Sequence, residues 1–226
     1  MKTCFGIIVF VFALLINSTA YSLSVKANAK AAHGCLTKVD LAQAQAAIKR
    51  YRLGTVNALP EETRALGTAL VWIEKLNGDK PLELAVVPPN RSYLVHFTNG
   101  KGHSQQLGNG INIRRNGTLH YGQNVAQLSH ELGHFVGNNG AYAEYRRATG
   151  GKFCNVSTYS MSKPNEQFAE AFASFVTYPE LIRNNPSAAC QAAYDYFAND
   201  LFANGQLAEQ CGNPVVSQVT TTGAIH

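Results

Sequence analysis

Several absences narrow the reading before any motif is considered. After an apolar run that ends near Ile16, the 226-residue chain has no second uninterrupted hydrophobic stretch of comparable length, which leaves no candidate membrane span. No two cysteines stand in a C-x-x-C spacing, which argues against a cysteine-based metal cage. Charged residues make up only 15% of the chain, and the clearest basic clusters are the scattered pairs Lys49-Arg50, Arg114-Arg115 and Arg146-Arg147. Tracking a phosphate backbone needs concentrated charge on one face, so nucleic-acid binding is not expected. There is no internal repeat and only one tryptophan, Trp72, which the helical pattern around it assigns to the core.

What is present begins with Lys2, an apolar run from about Cys4 to Ile16, and the small polar stretch Asn17-Ser18-Thr19-Ala20. This is the order of a secretory signal peptide, with cleavage expected after Ala20 or two residues later at Ser22. Residues 1–20 are therefore read as the leader and 21–226 as one catalytic domain, exported and free of the membrane once the leader is removed. Losing Lys2 lowers the formal charge from +5 to +4. Four cysteines remain, Cys35, Cys154, Cys190 and Cys211, and in an exported chain they imply two disulfides. Three pairings are open; Cys190 with Cys211 is preferred because they flank one helix and its exit, leaving Cys35 with Cys154.

The hydrophobic pattern gives an α+β chain, mostly helical, with a small sheet ahead of the central motif. Asp40 can cap a helix to about Arg52, and Pro60, Glu61 and Glu62 open a second one that ends at Asn77-Gly78. Short β-like runs follow at 83–87, 93–98, 111–115 and 118–121, the last two separated by Asn116-Gly117, a hairpin signal. Further helices are expected over 123–136, stopped by Gly137 to Gly140, from Pro164 to Val176, and over about 187–203. The tail after Cys211 is expected to be poorly ordered.

The most informative segment is Gln127-Leu128-Ser129-His130-Glu131-Leu132-Gly133-His134, which contains H-E-x-x-H within an amphipathic helix. At helical pitch His130 and His134 stack on one face, where both imidazoles can reach one metal ion with Glu131 close to a water on it. The chemistry this suggests is zinc-dependent hydrolysis of a protein or peptide substrate. A catalytic zinc needs a third protein ligand. In the extended pattern H-E-x-x-H-x-x-G-x-x-H, Gly137 fills the glycine place, but Gly140 stands where the third histidine belongs. The better source is Glu166-Gln167-Phe168-Ala169-Glu170, which puts two carboxylates one turn apart on one face. One can ligate zinc while the other holds a ligating histidine by its free ring nitrogen. Glu144 is the reserve candidate.

The stretch from Tyr159 to Phe172, following His130-Glu131-Leu132-Gly133-His134, resembles the catalytic core of the anthrax lethal factor-like gluzincins, a family that includes secreted Pro-Pro endopeptidases. The resemblance covers about Leu128 to Phe175. It implies a zincin-like fold, Zn²⁺ as cofactor, Glu166 as third ligand and Glu170 as support for the site. It also implies that Tyr159, seven positions before that ligand, stabilises the reacting carbonyl oxygen. The H-E-x-G-H form of the family is matched by Gly133.

Two other readings remain beside a secreted metalloendopeptidase: an exported zinc-binding protein that does not cleave, and a zinc amidase acting on a non-peptide or cell-wall amide. His96, His103 and His120 are read as surface or hydrogen-bonding residues. Nothing in the sequence sets an oligomeric state or the side-chain preference around the cut.

Overall fold

The computed structural model describes residues 37–84, 93–99, 104–107, 110–115, 121–156 and 163–211. The leader, Tyr159, the hairpin signal at Asn116-Gly117 and the tail after Cys211 lie outside them.

Helix α1 (Leu41–Arg50) starts where Asp40 and Gln43 cap each other: Gln43 N donates to Asp40 Oδ1 at 2.7 Å and Asp40 N to Gln43 Oε1 at 3.1 Å. Its buried face is Ala44, Ala47 and Ile48, set against α2 (Pro60–Leu76). The pairing is close because Gly67 of α2 lies over Ala44, where a β-carbon would come within 2.3 Å. At the other end of that contact, the Arg50 guanidinium forks onto Glu74 at 2.9 and 2.6 Å.

Between these helices runs β1 (Leu53–Val56), a strand the sequence did not announce. Four residues are too few to show an alternating pattern against a flanking helix. It pairs in parallel with β2 (Tyr93–Asn99), which pairs in parallel with β4 (Gly110–Arg115); the short β3 (Gln105–Leu107) closes the sheet antiparallel to β4. The order is β1-β2-β4-β3. The expected strands at 93–98 and 111–115 are therefore present. Glu83 and Leu84 are not in a strand, and Tyr121 opens a helix rather than ending a strand.

Alternation in β2 and β4 turns Tyr93, Val95, Phe97, Ile111 and Ile113 inward. They meet Val125, Leu128, Leu132 and Phe135 of α3 (Tyr121–Val136) in one continuous core, with the Tyr93 and Phe135 rings 4.6 Å apart. The end of β4 is fastened to the start of α2 by Arg115, whose Nε and one Nη donate to Glu62 at 2.6 and 2.8 Å. Glu62 also accepts from Leu59 N at 2.7 Å, so one buried carboxylate both starts α2 and anchors the sheet.

The glycine-rich stretch expected to stop α3 does end it: its regular helix closes at Val136. Within Gly137–Ala141 the backbone leaves helical geometry at Asn139 (φ −84°, ψ 18°) and Gly140 (φ +102°), and the chain kinks there before entering α4 (Tyr142–Ala148). Such a positive φ suits glycine, so Gly140 terminates α3 and sets the bend into the next helix. Helix α5 (Pro164–Thr177) follows, then α6 (Glu180–Arg183) and α7 (Ala188–Asp195), extended by a π-type segment, Tyr196–Leu201. Phe168, Phe172 and Phe175 of α5 form an aromatic cluster with Tyr145, Phe197 and Phe202; Phe175 and Phe202 stack at 5.6 Å. Trp72 is buried as expected and donates from Nε1 to Val176 O at 2.6 Å, tying α2 to α5.

The disulfide reading is corrected. Cys190 pairs with Cys154, not with Cys211. Nearness along the chain does not decide the pairing, because α7 folds back so that Cys190 meets the segment after α4, 36 residues earlier.

Candidate metal centre

The centre is built where α3 crosses α5. One turn of α3 separates His130 from His134, and one turn of α5 separates Glu166 from Glu170, so each helix presents two groups on one face. Glu166 Oε2 lies 3.1 Å from His130 Nε2 and 3.3 Å from His134 Nε2. The three ligand atoms all lie within 4.8 Å of one another, the single such group among the described residues.

These separations can be tested against coordination geometry. Tetrahedral bonds of roughly 2.0–2.1 Å place neighbouring donor atoms about 3.3–3.4 Å apart, so both distances to Glu166 match edges of a zinc-sized tetrahedron. The ligating histidine is supported from behind as well: His130 Nδ1 lies 2.9 Å from Glu170 Oε1. This contact fixes the ring and leaves Nε2 facing Glu166 and His134. The two imidazoles meet edge to face, with centroids 4.9 Å apart. The residues present therefore fit a metal ion, and His130, His134 and Glu166 can hold one.

Glu131 is 3% exposed, and its Oε2 has no hydrogen-bond partner among the described residues. Leaving a buried carboxylate oxygen unpaired is costly unless a ligand or water completes it. Burial, reinforced by the nearby Glu166 charge and opposed by His130, raises the Glu131 carboxyl to about 7. Burial on its own would depress His130, but hydrogen bonding to Glu166 and Glu170 overturns that and lifts it to about 10. His134 is held below the ordinary imidazole value, mainly by burial. Glu166 is held below the usual carboxylate range, chiefly by its hydrogen bond to His130.

The other sequence candidates separate clearly. Glu144 is exposed and pairs with Arg147 at 3.8 Å, away from the cluster. His96 sits in β2 and belongs to no metal-binding group among the described residues. Tyr159, His103 and His120 fall outside the described residues. One supporting residue had no sequence signal. Gln127, a turn before Glu131, donates from Nε2 to Ser104 Oγ at 2.6 Å, and that oxygen accepts from Arg114 N at 2.9 Å. The bond joins α3 to the sheet across 23 residues, a separation no local pattern encodes.

The chain matches no protein-family model, no curated protein and no solved structure at a significant level. Among the described residues no helix is long and apolar enough to cross a membrane.

Proposed function

We propose that this is a secreted zinc metalloendopeptidase of the gluzincin type, with a zincin-like fold, and that His130, His134 and Glu166 are its metal ligands. The observation that carries the reading is the buried Glu131 carboxylate beside that ligand group, whose Oε2 has no hydrogen-bond partner among the described residues. A site that only stores metal or braces the fold has no use for such an oxygen, which destabilises the protein.

Two imidazoles and a carboxylate suit zinc. When bound, zinc supplies Lewis-acid polarisation and makes a coordinated water acidic near neutral pH. Glu131 takes the proton from the attacking water at its free carboxylate oxygen and returns it to the leaving amine. In the metal-free protein burial raises the Glu131 carboxyl to about 7, which strengthens it as a proton acceptor. Glu170 holds the His130 ring through Nδ1 and keeps Nε2 turned inward. The Tyr159 hydroxyl, on the family resemblance, donates to the carbonyl oxygen as charge gathers there. An extended peptide is positioned by adding to the sheet along β3, the margin strand that contacts α3. Export follows from the leader at 1–20 and agrees with the disulfide between Cys154 and Cys190.

The test is cleavage of a proteome-derived peptide library by the purified mature protein, with new termini read by mass spectrometry. The proposal expects cuts that a chelator abolishes and that Glu131→Gln does not make. Library peptides left intact by a zinc-loaded wild type would reject general endopeptidase activity, and including cell-wall fragments in the assay exposes an amidase directly.

A further inference from the structure

Gly133 stands between the two histidines on the side of α3 that meets α5. A β-carbon at this position would lie 3.0 Å from Ala169 Cα, 3.3 Å from Ala169 O and 3.1 Å from Phe172 Cδ1. Two of those three atoms are backbone, so the facing helix cannot yield by turning a side chain; it has to move. Ala169 itself lies between Glu166 and Glu170 on α5. The tight approach of the helices therefore falls at the level of the four side chains of the centre, with His130 and His134 flanking it on one helix and the two glutamates on the other.

We propose that Gly133 is the spacer of the metal centre: it sets the separation of α3 and α5, and through it the 3.1 and 3.3 Å distances between Glu166 and the histidine nitrogens. It is a positioning residue, and the inference rests on reading His130, His134 and Glu166 as ligands. A methyl group at 133 forces a displacement of a few tenths of an ångström. Metal-ligand distances tolerate only about 0.2 Å, so a displacement of that size reaches the ligand triangle. Gly137, one turn after Gly133 and just past the end of α3, makes a different contact. Its β-carbon would meet the Phe168 ring at 3.0 and 3.1 Å, and a ring can adjust without moving the α5 backbone.

The experiment compares wild type, Gly133→Ala and Gly137→Ala as full mature chains. Three quantities are read: zinc affinity by chelator competition, the visible absorption of the cobalt-substituted protein, and the thermal midpoint of the metal-free protein. Gly133→Ala is expected to weaken zinc binding about tenfold or more, the size seen when a supporting contact of a metal site is lost. Its cobalt bands shift or fade as the coordination distorts. Gly137→Ala is expected to lower the metal-free midpoint, with a clearly smaller change in affinity and spectrum than Gly133→Ala. Alanine is intrinsically the better helix former, so a loss at 133 reports the interhelical contact and not the helix itself.

Wild-type affinity and spectrum in Gly133→Ala overturn the proposal, as does an affinity loss shared equally by Gly137→Ala. If Gly133→Ala is recovered folded only with excess zinc, the rate at which a chelator strips the metal gives the same comparison: faster than wild type supports the spacer role, equal rejects it. A wild type that binds no zinc rejects the metal-centre reading itself, a result distinct from either.

Discussion

Glu131 and Glu166 differ in what their removal should take away. Glu131→Gln keeps the ligand set and removes the proton acceptor, so zinc should stay stoichiometric by elemental analysis while turnover falls by at least about a hundredfold. Glu166→Ala deletes the atom that both histidines approach, and zinc content should drop with it. Retained zinc in Glu166→Ala would reassign the third ligand. His130 gives a pH prediction for the metal-free protein. Its folded value is raised from 6.5 to about 10, so its contribution to stability is complete below 6.5 and is lost as pH rises through about 10. The shifts of Glu131, His134 and Glu166 act near or below neutrality, so urea denaturation of metal-free protein should show stability falling between about pH 7.5 and 10. Zinc uptake should show the opposite trend, tightening over the same interval because the His130 proton has to leave. A flat stability profile would mean that the imidazole is not held protonated between Glu166 and Glu170.

Among the elements, the helices that carry the centre were the most legible, and for an identifiable reason. His130, Glu131 and His134, and separately Glu166 and Glu170, are related by the helical period, which sequence displays directly. Asp40 as a cap and Pro60 as a first-turn residue were legible on the same local grounds. Elements fixed by partners far along the chain were not. The strand Leu53–Val56 is defined by pairing with Tyr93–His96, and Cys154 meets Cys190 because the chain beyond Thr177 folds back. That disulfide closes a loop of 36 residues, and the chain-entropy estimate makes its removal cost about 3–4 kcal/mol. Cys154→Ala with Cys190→Ala should show this as a lower denaturation midpoint. An unchanged midpoint would mean that the surrounding packing already fixes the segment.

Over the whole molecule, the sheet with α3 and the aromatic cluster on α5 share one continuous core, and the centre lies along the seam between them. Packing damage should therefore reach the site. Phe172 is fully buried, contacts Phe168, Phe197 and Phe202, and lies close to Gly133. Phe172→Ala should cost about 3–5 kcal/mol in chemical denaturation. It should also weaken zinc retention, which a peripheral cavity would leave alone. The aromatic residues of this cluster were readable as apolar positions on their own helices, but their convergence was not, since Tyr145 and Phe197 are separated by the whole of α5.

The single tryptophan gives this seam an optical reporter. Its indole is buried, and its N–H is held by the Val176 carbonyl near the end of the helix that carries Glu166. Emission excited at the indole band comes from that one contact, without interference from other tryptophans. A shift to longer wavelength records water reaching the α2–α5 junction. Stopped-flow fluorescence after chelator addition can therefore time the loosening of the ligand-bearing helix on the unlabelled protein.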